Sequence, residues 1–224
     1  MNQHWFVTGT DTGIGKTFAS TALLHALRAR GLRAVGMKPV ASGCDSTPAG
    51  WRNEDALALQ AASEPRPAYG DVNPFALPAA TAPQLAAREA GVVVSLPPLL
   101  SAHARLAANA DVTVVEGVGG WAAPLADGLD QCELVRALDA SVVLVVGLRL
   151  GCLSHARLTT RAIEADGCRL VGWIGNRVDP AFDRLDDYLD LLRDALPVPC
   201  LGVLPHDPRG DAVAASRSLR LPGA

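Results

Sequence analysis

The 224-residue sequence is poor in several features that would place it in a specialised class of protein. Its formal net charge is only −3, which excludes a strong electrostatic attraction to nucleic acid or to an anionic membrane surface. The longest apolar run, around residues 142–146, is far too short to span a bilayer. The five cysteines are scattered and never form a CxxC pair, so we expect neither a disulfide framework nor a zinc site. The N-terminus lacks the pattern of a secretory signal, and we therefore expect a soluble, cytoplasmic protein whose partners are neither nucleic acids nor membranes.

Aromatic residues and lysine are also scarce. Aromatic residues make up 4% of a chain that is 49% hydrophobic, which predicts an ordered protein with a largely aliphatic core. Of the 20 basic residues only Lys16 and Lys38 are lysines, and the rest are arginines. A compact ammonium does different chemistry from a planar guanidinium, so both lysines are candidate functional residues. The alternative is chance, because a GC-rich gene could leave two lysines anywhere.

The chain does contain a regular alternation of apolar and amphipathic segments. Continuous apolar runs predict strands at residues 5–8, 34–39, 112–116, 141–147, 170–175 and 201–204. Helical periodicity predicts helices at residues 17–30, 54–62, 99–108, 132–138, 154–165 and 182–195. This alternation predicts an α/β fold of three layers, with a mainly parallel twisted sheet flanked by helices in one domain over residues 1–224. Residues 65–98 are predicted to form loops around a helix at 82–90, and residues 209–224 a loosely held tail.

The first predicted strand leads into the sequence Gly9-Thr10-Asp11-Thr12-Gly13-Ile14-Gly15-Lys16-Thr17 and then into a helix. Glycines in such a turn let successive backbone N–H groups face phosphate oxygens, and the helix N-terminus adds a positive potential. Lys16 would then reach the β- and γ-phosphates, and the Thr17 hydroxyl would bind Mg²⁺. The strict Walker motif has glycine at the position that Thr10 occupies in this chain. The alternative to a phosphate loop is an ordinary glycine-rich turn between a strand and a helix. A dinucleotide-binding turn would need a further glycine in place of Phe18.

The apolar run at residues 112–116 ends in the carboxylate of Glu116. Beside a phosphate loop, a carboxylate at the end of a parallel strand suits a direct or indirect contact to Mg²⁺. The alternative is a solvated carboxylate at a strand end. Residues 117–122 fit a dinucleotide-binding pattern, but the following residues do not open a helix, and we reject that interpretation.

Five motifs, in order along the chain, resemble those of the dethiobiotin synthetases of biotin biosynthesis. They lie at residues 9–17, 38–43, 52–56, 116–121 and 150–155. The resemblance extends from the first strand to about residue 207. It implies an enzyme that uses ATP and Mg²⁺ to join CO₂ or bicarbonate to 7,8-diaminopelargonic acid. The implied route passes through a carbamate and a carbamic–phosphoric anhydride to dethiobiotin, ADP and phosphate.

The resemblance also implies a role for individual residues. Lys38, Lys16 and Thr12 would be catalytic, around the γ-phosphate and the carbamate. Thr17, Asp55 and Glu116 would hold Mg²⁺. The implied ATP-binding residues are Gly13, Ile14, Gly15, Lys16, Thr17, Phe18, Asp55, Glu116, Gly117, Val118, Gly119, Asn176, Arg177, Pro205, His206 and Asp207. The implied substrate-binding residues are Ser42, Gly151, Cys152, Leu153, Ser154 and Tyr188.

The family pattern further implies a homodimer, because residues 151–154 come from the partner subunit and the active site lies at the interface.

The adenine end departs most from that pattern. Arg177 stands where an acidic residue is often found, and residues 205–207 replace an apolar and aromatic wall. Residues 176–179 faintly resemble the guanine-binding Asn-Lys-x-Asp motif. ATP is the predicted nucleotide, but the selectivity for the base is left open.

The alternative function is a P-loop ATPase or GTPase switch of the partitioning or metallochaperone type. Such switches usually carry an extra lysine early in the loop, which this chain does not have.

Overall fold

The computed structural model describes residues 3–207 and 209–221. In this part of the chain the elements are β1 (Gln3–Gly9), α1 (Lys16–Arg28), β2 (Ala34–Met37), β3 (Val40–Ser42), β4 (Asp45–Thr47), β5 (Gly50–Arg52), α2 (Glu54–Ala62), α3 (Tyr69–Val72), β6 (Phe75–Leu77), α4 (Pro83–Ala90), α5 (Leu96–Ala107), β7 (Val112–Glu116), α6 (Gln131–Ala137), β8 (Ser141–Gly147), α7 (Cys152–Ala165), β9 (Arg169–Asn176), α8 (Leu185–Ala195), β10 (Cys200–Leu204) and α9 (Ala212–Ser216).

Six strands of the described chain form one parallel sheet in the order β10-β9-β8-β1-β7-β2. The first strand is central, with Val7 opposite Glu116 on one side and Gly9 opposite Val145 on the other. Parallel neighbours need crossover connections, and the helices supply them. The carboxyl ends of these strands therefore meet at one edge of the sheet, where the phosphate loop follows β1.

Helices cover both faces of this sheet. Side chains alternate along a strand, so Trp5 and Val7 pack into one cluster with α1, α2 and α9, whereas Phe6 packs into another with α4, α5 and α6. A third cluster, on the same side as Phe6, joins β8 and β9 to α7 and α8. The predicted three-layer α/β architecture is confirmed. The strand at 141–147 is buried along its whole length, which explains why its sequence is an unbroken apolar run.

The segment predicted as loops around one helix contains more regular structure than expected. A short helix, α3, precedes strand β6, which pairs in parallel with β3. Earlier in the chain, before α2, β4 and β5 form an antiparallel hairpin. These strands are three residues long, which is too short for a periodic pattern to reveal them.

The prediction of a loosely held tail is wrong for residues 211–221. The side chain of Asp211 accepts a hydrogen bond from Ala214 N at 2.9 Å, and the helix that it caps packs on α1. Beyond that helix Leu219 and Leu221 are buried, and Arg220 N donates to Leu201 O at 2.7 Å. Residues 222–224 of the predicted tail lie outside the described residues. Among the described residues, no helix is long and apolar enough to cross a membrane.

Candidate active site

The phosphate loop joins β1 to α1 and has the backbone conformation that its glycines allow. Gly13 and Gly15 adopt left-handed φ angles of 70° and 80°. A Cβ atom at Gly15 would collide with the side-chain amide of Asn176. That amide donates a hydrogen bond to Ile14 O at 2.8 Å, so β9 supports the loop from outside. Glycine at position 15 is thus required by both conformation and space.

A cavity of about 430 Å³ lies in front of this loop at the carboxyl edge of the sheet. It is lined by Thr12, Gly13, Gly15, Lys16, Thr17, Lys38, Ala41, Ser42, Asn53, Asp55, Glu116, Val118 and Gly119. Both lysines of the chain therefore lie on one cavity, together with the predicted catalytic, metal-binding and carbamate-binding side chains. Ala41 and Asn53 were not predicted, although both fall inside motifs 38–43 and 52–56 and a scan of motif neighbours could have found them.

Lys38 is the most heavily paired cation of the cavity. Its ammonium lies 2.6 Å from Glu116 Oε1, 3.0 Å from Asp55 Oδ2 and 3.3 Å from Gly117 O. Burial lowers the pKa of Lys38, but the carboxylates of Glu116 and Asp55 outweigh that effect and hold it above its ordinary value. Lys38 is therefore charged throughout the physiological pH range.

Lys16 has a different environment. Its ammonium donates to the backbone carbonyl of Asp11 at 3.0 Å. Burial, and then repulsion from Lys38, lowers the pKa of Lys16 to about 8. The ammonium of Lys16 is thus held in the loop by a neutral acceptor and can exchange that acceptor for a phosphate oxygen.

Thr17, Asp55 and Glu116 form a compact group of oxygen atoms beside Lys38. The Thr17 hydroxyl lies 2.7 Å from Asp55 Oδ1 and 2.9 Å from Glu116 Oε1. Glu116 is fully buried, and its Oε2 atom has no hydrogen-bond partner among the described residues. A buried carboxylate oxygen of this kind suits Mg²⁺, which binds one or two carboxylates and completes its coordination with phosphates and water. No group of three or more His, Cys, Asp or Glu residues in the described chain is arranged to hold a metal by itself.

A second cavity, of about 370 Å³, adjoins the first across the phosphate loop, and Gly13 and Gly15 line both. It is lined by Gly13, Gly15, Phe18, Asn176, Arg177, Val178, Pro205, His206, Asp207, Arg209 and Gly210. The structure thus brings together the residues predicted for the adenine end. Val178, Arg209 and Gly210 were missed, the last two because they fell in the predicted tail.

The carboxylates near this second cavity are already engaged. The two oxygens of Asp207 accept hydrogen bonds of 2.9 Å from the backbone N–H groups of Arg209 and Asp211. Asp179 does not line the cavity, and its side chain accepts from Ala181 N at 2.9 Å in a turn. Since guanine recognition by the Asn-Lys-x-Asp motif depends on its aspartate, the resemblance of residues 176–179 to that motif does not extend to the geometry.

The residues predicted to hold the substrate tail do not line either cavity of their own chain. Helix α7 begins at Cys152, two residues earlier than predicted, so Gly151 is its N-cap and Ser154 lies in its first turn. Cys152 is buried in the third core cluster, and Leu153 and Tyr188 pack against that cluster from the side. The structure therefore groups Cys152, Leu153 and Tyr188 in one cluster, and neither they nor Gly151 and Ser154 line either cavity of the same chain. The segment before them does contact the phosphate loop, since Arg149 is ion-paired with Asp11 at 2.6 Å.

A parallel sheet with a glycine-rich loop between β1 and α1, and with lysine, threonine and carboxylates around one cavity, defines a P-loop nucleotide-binding protein. Solved structures with the same fold include MinD from Aquifex aeolicus, 15% identical, with a TM-score of 0.57 and coverage of 96% of this chain and 92% of that one. A ParA family ATPase from Chlorobium tepidum is 12% identical, with a TM-score of 0.60 and coverage of 97% and 91%.

The sequence comparisons are more specific than the fold. The family described as an AAA domain matches residues 3–213. The ATP-dependent dethiobiotin synthetase BioD of Xanthomonas oryzae is 63% identical over 218 residues, 97% of either chain. The protein of the same name from Xylella fastidiosa is 66% identical over 206 residues, 92% of this chain and 91% of that one. The chain belongs to the ATP-dependent dethiobiotin synthetase family.

Proposed function

We propose that this protein closes the ureido ring of dethiobiotin from 7,8-diaminopelargonic acid, CO₂ and ATP, releasing ADP and phosphate. One observation supports this reaction most directly. The only two lysines of the chain, Lys16 and Lys38, line the same 430 Å³ cavity as Thr12 and Ser42. A reaction that joins an anionic carbamate to a triphosphate needs cations at one place, and the chain provides them there.

The proposed steps follow from the chemistry of a carbamate. One amine of the substrate takes up CO₂ to form a carbamate, whose anionic oxygen makes its carbon a poor electrophile. Transfer of the γ-phosphoryl group to that oxygen gives a mixed anhydride with phosphate as its leaving group. The second amine then attacks the carbon, the ring closes, and phosphate departs. Lys38 would stabilise the carbamate and the transferring phosphoryl group, since its charge is maintained by Glu116 and Asp55.

The phosphate loop contributes the remaining proposed contacts to the triphosphate. Lys16 would leave the Asp11 carbonyl and bind the β- and γ-phosphates. Thr12 and Ser42, which line the same cavity, would hydrogen-bond the reacting groups. Ile14, Gly117, Val118 and Gly119 belong to the loops that shape this cavity, and we propose that they bind the nucleotide largely through backbone atoms.

We propose that Thr17, Asp55 and Glu116 hold Mg²⁺ with the nucleotide phosphates. The partnerless Oε2 atom of the buried Glu116 side chain supports this assignment. Mg²⁺, when bound, would neutralise part of the phosphate charge. The same carboxylates pair with the Lys38 ammonium through Glu116 Oε1 and Asp55 Oδ2, so we propose that they serve both the metal and the lysine.

The second cavity is proposed to hold the adenine base, between Phe18 on one side and residues 205–207 on the other. Asn176 would contribute through its carbonyl oxygen, because its amide nitrogen already supports the phosphate loop. A panel of ATP, CTP and GTP tests the choice of base. We expect ATP to be preferred to GTP, because both oxygens of Asp207 are already engaged with backbone N–H groups.

We also propose that the active site is completed by a second copy of the chain. Residues 151–154 and Tyr188 do not line the cavity of their own chain, while Leu150 and Leu158 beside them are 78% and 60% exposed. In a homodimer with two-fold symmetry these residues would reach the partner's cavity. Mixing the inactive variants Lys38→Ala and Tyr188→Ala under exchange conditions would then restore about one quarter of the sites. No recovery in exchanged dimers would contradict a shared site.

Purified protein with diaminopelargonate, bicarbonate and MgATP should release one phosphate for each dethiobiotin formed. Lys38→Ala should lower this rate by ~10²–10³-fold, by analogy with the loss of other preorganised electrostatic groups. Nucleotide binding should persist in the variant, and a thermal unfolding curve with MgATP verifies that it is folded. Nucleotide hydrolysis that does not depend on the diamine would instead favour a switch ATPase.

A further inference from the structure

Tyr69 and Asn73 do not line either cavity, yet they are hydrogen-bonded to the backbone that carries the Lys38–Asp55 ion pair. Tyr69 is the first residue of helix α3, and Asn73 is the residue at which that helix ends. Asn53 N donates to the Tyr69 hydroxyl at 2.8 Å, and the hydroxyl lies 3.1 Å from Asn73 Oδ1. A two-residue relay therefore connects the start of α2 to the end of β2.

The direction of every hydrogen bond in this relay is determined by its partners. A backbone N–H can only donate, so the Tyr69 oxygen accepts from Asn53 and its own proton goes to Asn73 Oδ1. The Asn73 amide nitrogen then donates to the carbonyls of Lys38, at 2.7 Å, and Phe75, at 3.2 Å. Asn73 is only 3% exposed, and each polar atom of its side chain has a partner.

At one end, the relay holds the backbone of Lys38. Lys38 N donates to Val72 O at 2.7 Å, and the Lys38 carbonyl accepts from Asn73. The next residue, Pro39, has no N–H to donate. The chain after Lys38 is therefore held through backbone carbonyls, with Lys38 O accepting from Asn73 and Pro39 O accepting from Phe75 N. The root of the Lys38 side chain is therefore fixed to the end of α3 from both sides.

At the other end, the relay holds the start of α2. Asn53 is the N-cap of that helix, and its side-chain oxygen accepts from Ala56 N at 3.3 Å. Asp55 lies in the first turn, where its carboxylate pairs with Lys38 and accepts from Thr17. Both charged partners of the ion pair are thus anchored to the same tyrosine and asparagine.

We propose that Tyr69 and Asn73 are positioning residues that set the place of the Lys38 ammonium for phosphoryl transfer and ring closure. This inference rests on the function proposed above. Neither side chain touches the cavity, so both act through Lys38 and Asp55. Small displacements of a reacting group are costly, since a misplacement of about 1 Å can reduce a rate by ~10²-fold.

The variant Tyr69→Phe tests the relay with little loss of packing. It removes only the hydroxyl and retains the ring, whose centroid lies 4.1 Å from the guanidinium carbon of Arg52. We expect kcat for dethiobiotin formation to fall roughly tenfold or more, while the KM for MgATP changes much less. Asn73→Ser removes the amide N–H groups that donate to the carbonyls of Lys38 and Phe75. We expect a larger fall in kcat than in Tyr69→Phe, again with a much smaller change in the KM for MgATP.

Ser63→Ala is a matched control, because it breaks a similar contact between the same two elements, at the C-terminal end of α2 and away from Asp55. The buried Ser63 hydroxyl accepts from Gly36 N, in β2, at 2.8 Å and donates to Leu59 O, in α2, at 2.7 Å. We expect this variant to lose thermal stability as Tyr69→Phe does, with kcat unchanged. If both variants lowered kcat in proportion to their loss of unfolding temperature, Tyr69 would have a structural role only, and the inference would be wrong.

A second measurement does not depend on activity. An amine-acylating reagent followed by mass spectrometry reports the reactivity of the two lysines separately. In Tyr69→Phe the labelling of Lys38 relative to Lys16 should rise, and in Ser63→Ala it should not. Wild-type protein that forms no dethiobiotin would refute the proposed function, while the labelling ratio would still decide the positioning role. Unchanged labelling and unchanged kcat in Tyr69→Phe would refute that role alone.

Discussion

Nucleotide affinity should fall as the pH rises through the pKa of Lys16 in the unliganded protein. Burial, and then repulsion from Lys38, lowers that pKa from 10.5 to about 8. Phosphate oxygens beside the ammonium favour its charged form, so a bound nucleotide would raise the pKa again. Above about pH 8 the free protein must therefore take up a proton in order to bind, and each further pH unit weakens binding.

The size of this effect follows from the two protonation states. If only the charged form binds, the apparent Kd is multiplied by one plus the ratio of neutral to charged Lys16. With a pKa of about 8, Kd rises about eightfold between pH 7.5 and pH 9, and about 0.9 proton is taken up per nucleotide at pH 9. Isothermal titration calorimetry in two buffers of different ionisation enthalpy measures both quantities. Lys38 contributes little to this change, because its pKa is raised rather than lowered.

Lys16→Arg is the control for this experiment. A guanidinium remains charged throughout this pH range, so the affinity of the variant should be independent of pH, whatever its value at pH 7.5. A flat affinity in the wild type would refute the argument. An equal slope in the arginine variant would show that a different group takes up the proton.

Two further predictions concern stability and the phosphate loop. Burial, with a smaller effect of His4, lowers the pKa of His103 to about 4, so the unfolded chain binds more protons between pH 6.5 and 4 and stability falls as the pH falls through that window. Urea titrations should show the free energy of unfolding decreasing by about 2 kcal/mol from pH 7 to pH 5, and His103→Gln should remove most of that decrease. Gly15→Ala should weaken nucleotide binding by at least about tenfold, because the new Cβ atom meets Asn176 and forces the loop away. Gly13→Ala, at a similar φ but with open space around it, should have a smaller effect, and equal effects of the two would contradict the steric argument.

The central sheet was predictable because its strands are buried on both faces. The predicted ranges 112–116 and 141–147 match the observed strands. Because both strands are buried on both faces, their side chains are apolar or hydrogen-bonded, and the unbroken apolar run in the sequence coincides with the strand. The phosphate loop was predictable for a different reason, since its motif is local and depends on adjacent residues. Helix boundaries were less certain, and α7 begins two residues before its predicted start.

The interactions around Lys38 could not be derived from local pattern. Lys38 and Glu116 are 78 positions apart, and their contact exists because β2 and β7 are neighbours in the sheet. A strand order that places β7 between β1 and β2 is a property of the topology rather than of any segment. The relay through Tyr69 and Asn73 was missed because it lies in a stretch rich in proline, alanine and glycine, where no periodicity points to structure.

The two lysines line one cavity, yet their pKa values shift in opposite directions, and the difference lies in where each finds its counter-charge. The positive charge of Lys38 is balanced inside the protein by the carboxylates of Glu116 and Asp55, so the ammonium is charged and in place before any ligand binds. Lys16 donates a hydrogen bond to the carbonyl of Asp11, and the carboxylates of Glu116, Asp55 and Asp11 act on it only at longer range, so a phosphate would be the first negatively charged group to accept a hydrogen bond from its ammonium. Preorganisation favours the first arrangement for a group that stabilises a transition state, because no reorganisation is needed at the moment of reaction. The second arrangement suits a group that binds nucleotide. The pKa of Lys16 is low in the free protein, and bound phosphates would raise it, so the charged form of Lys16 is most strongly favoured when the nucleotide is present.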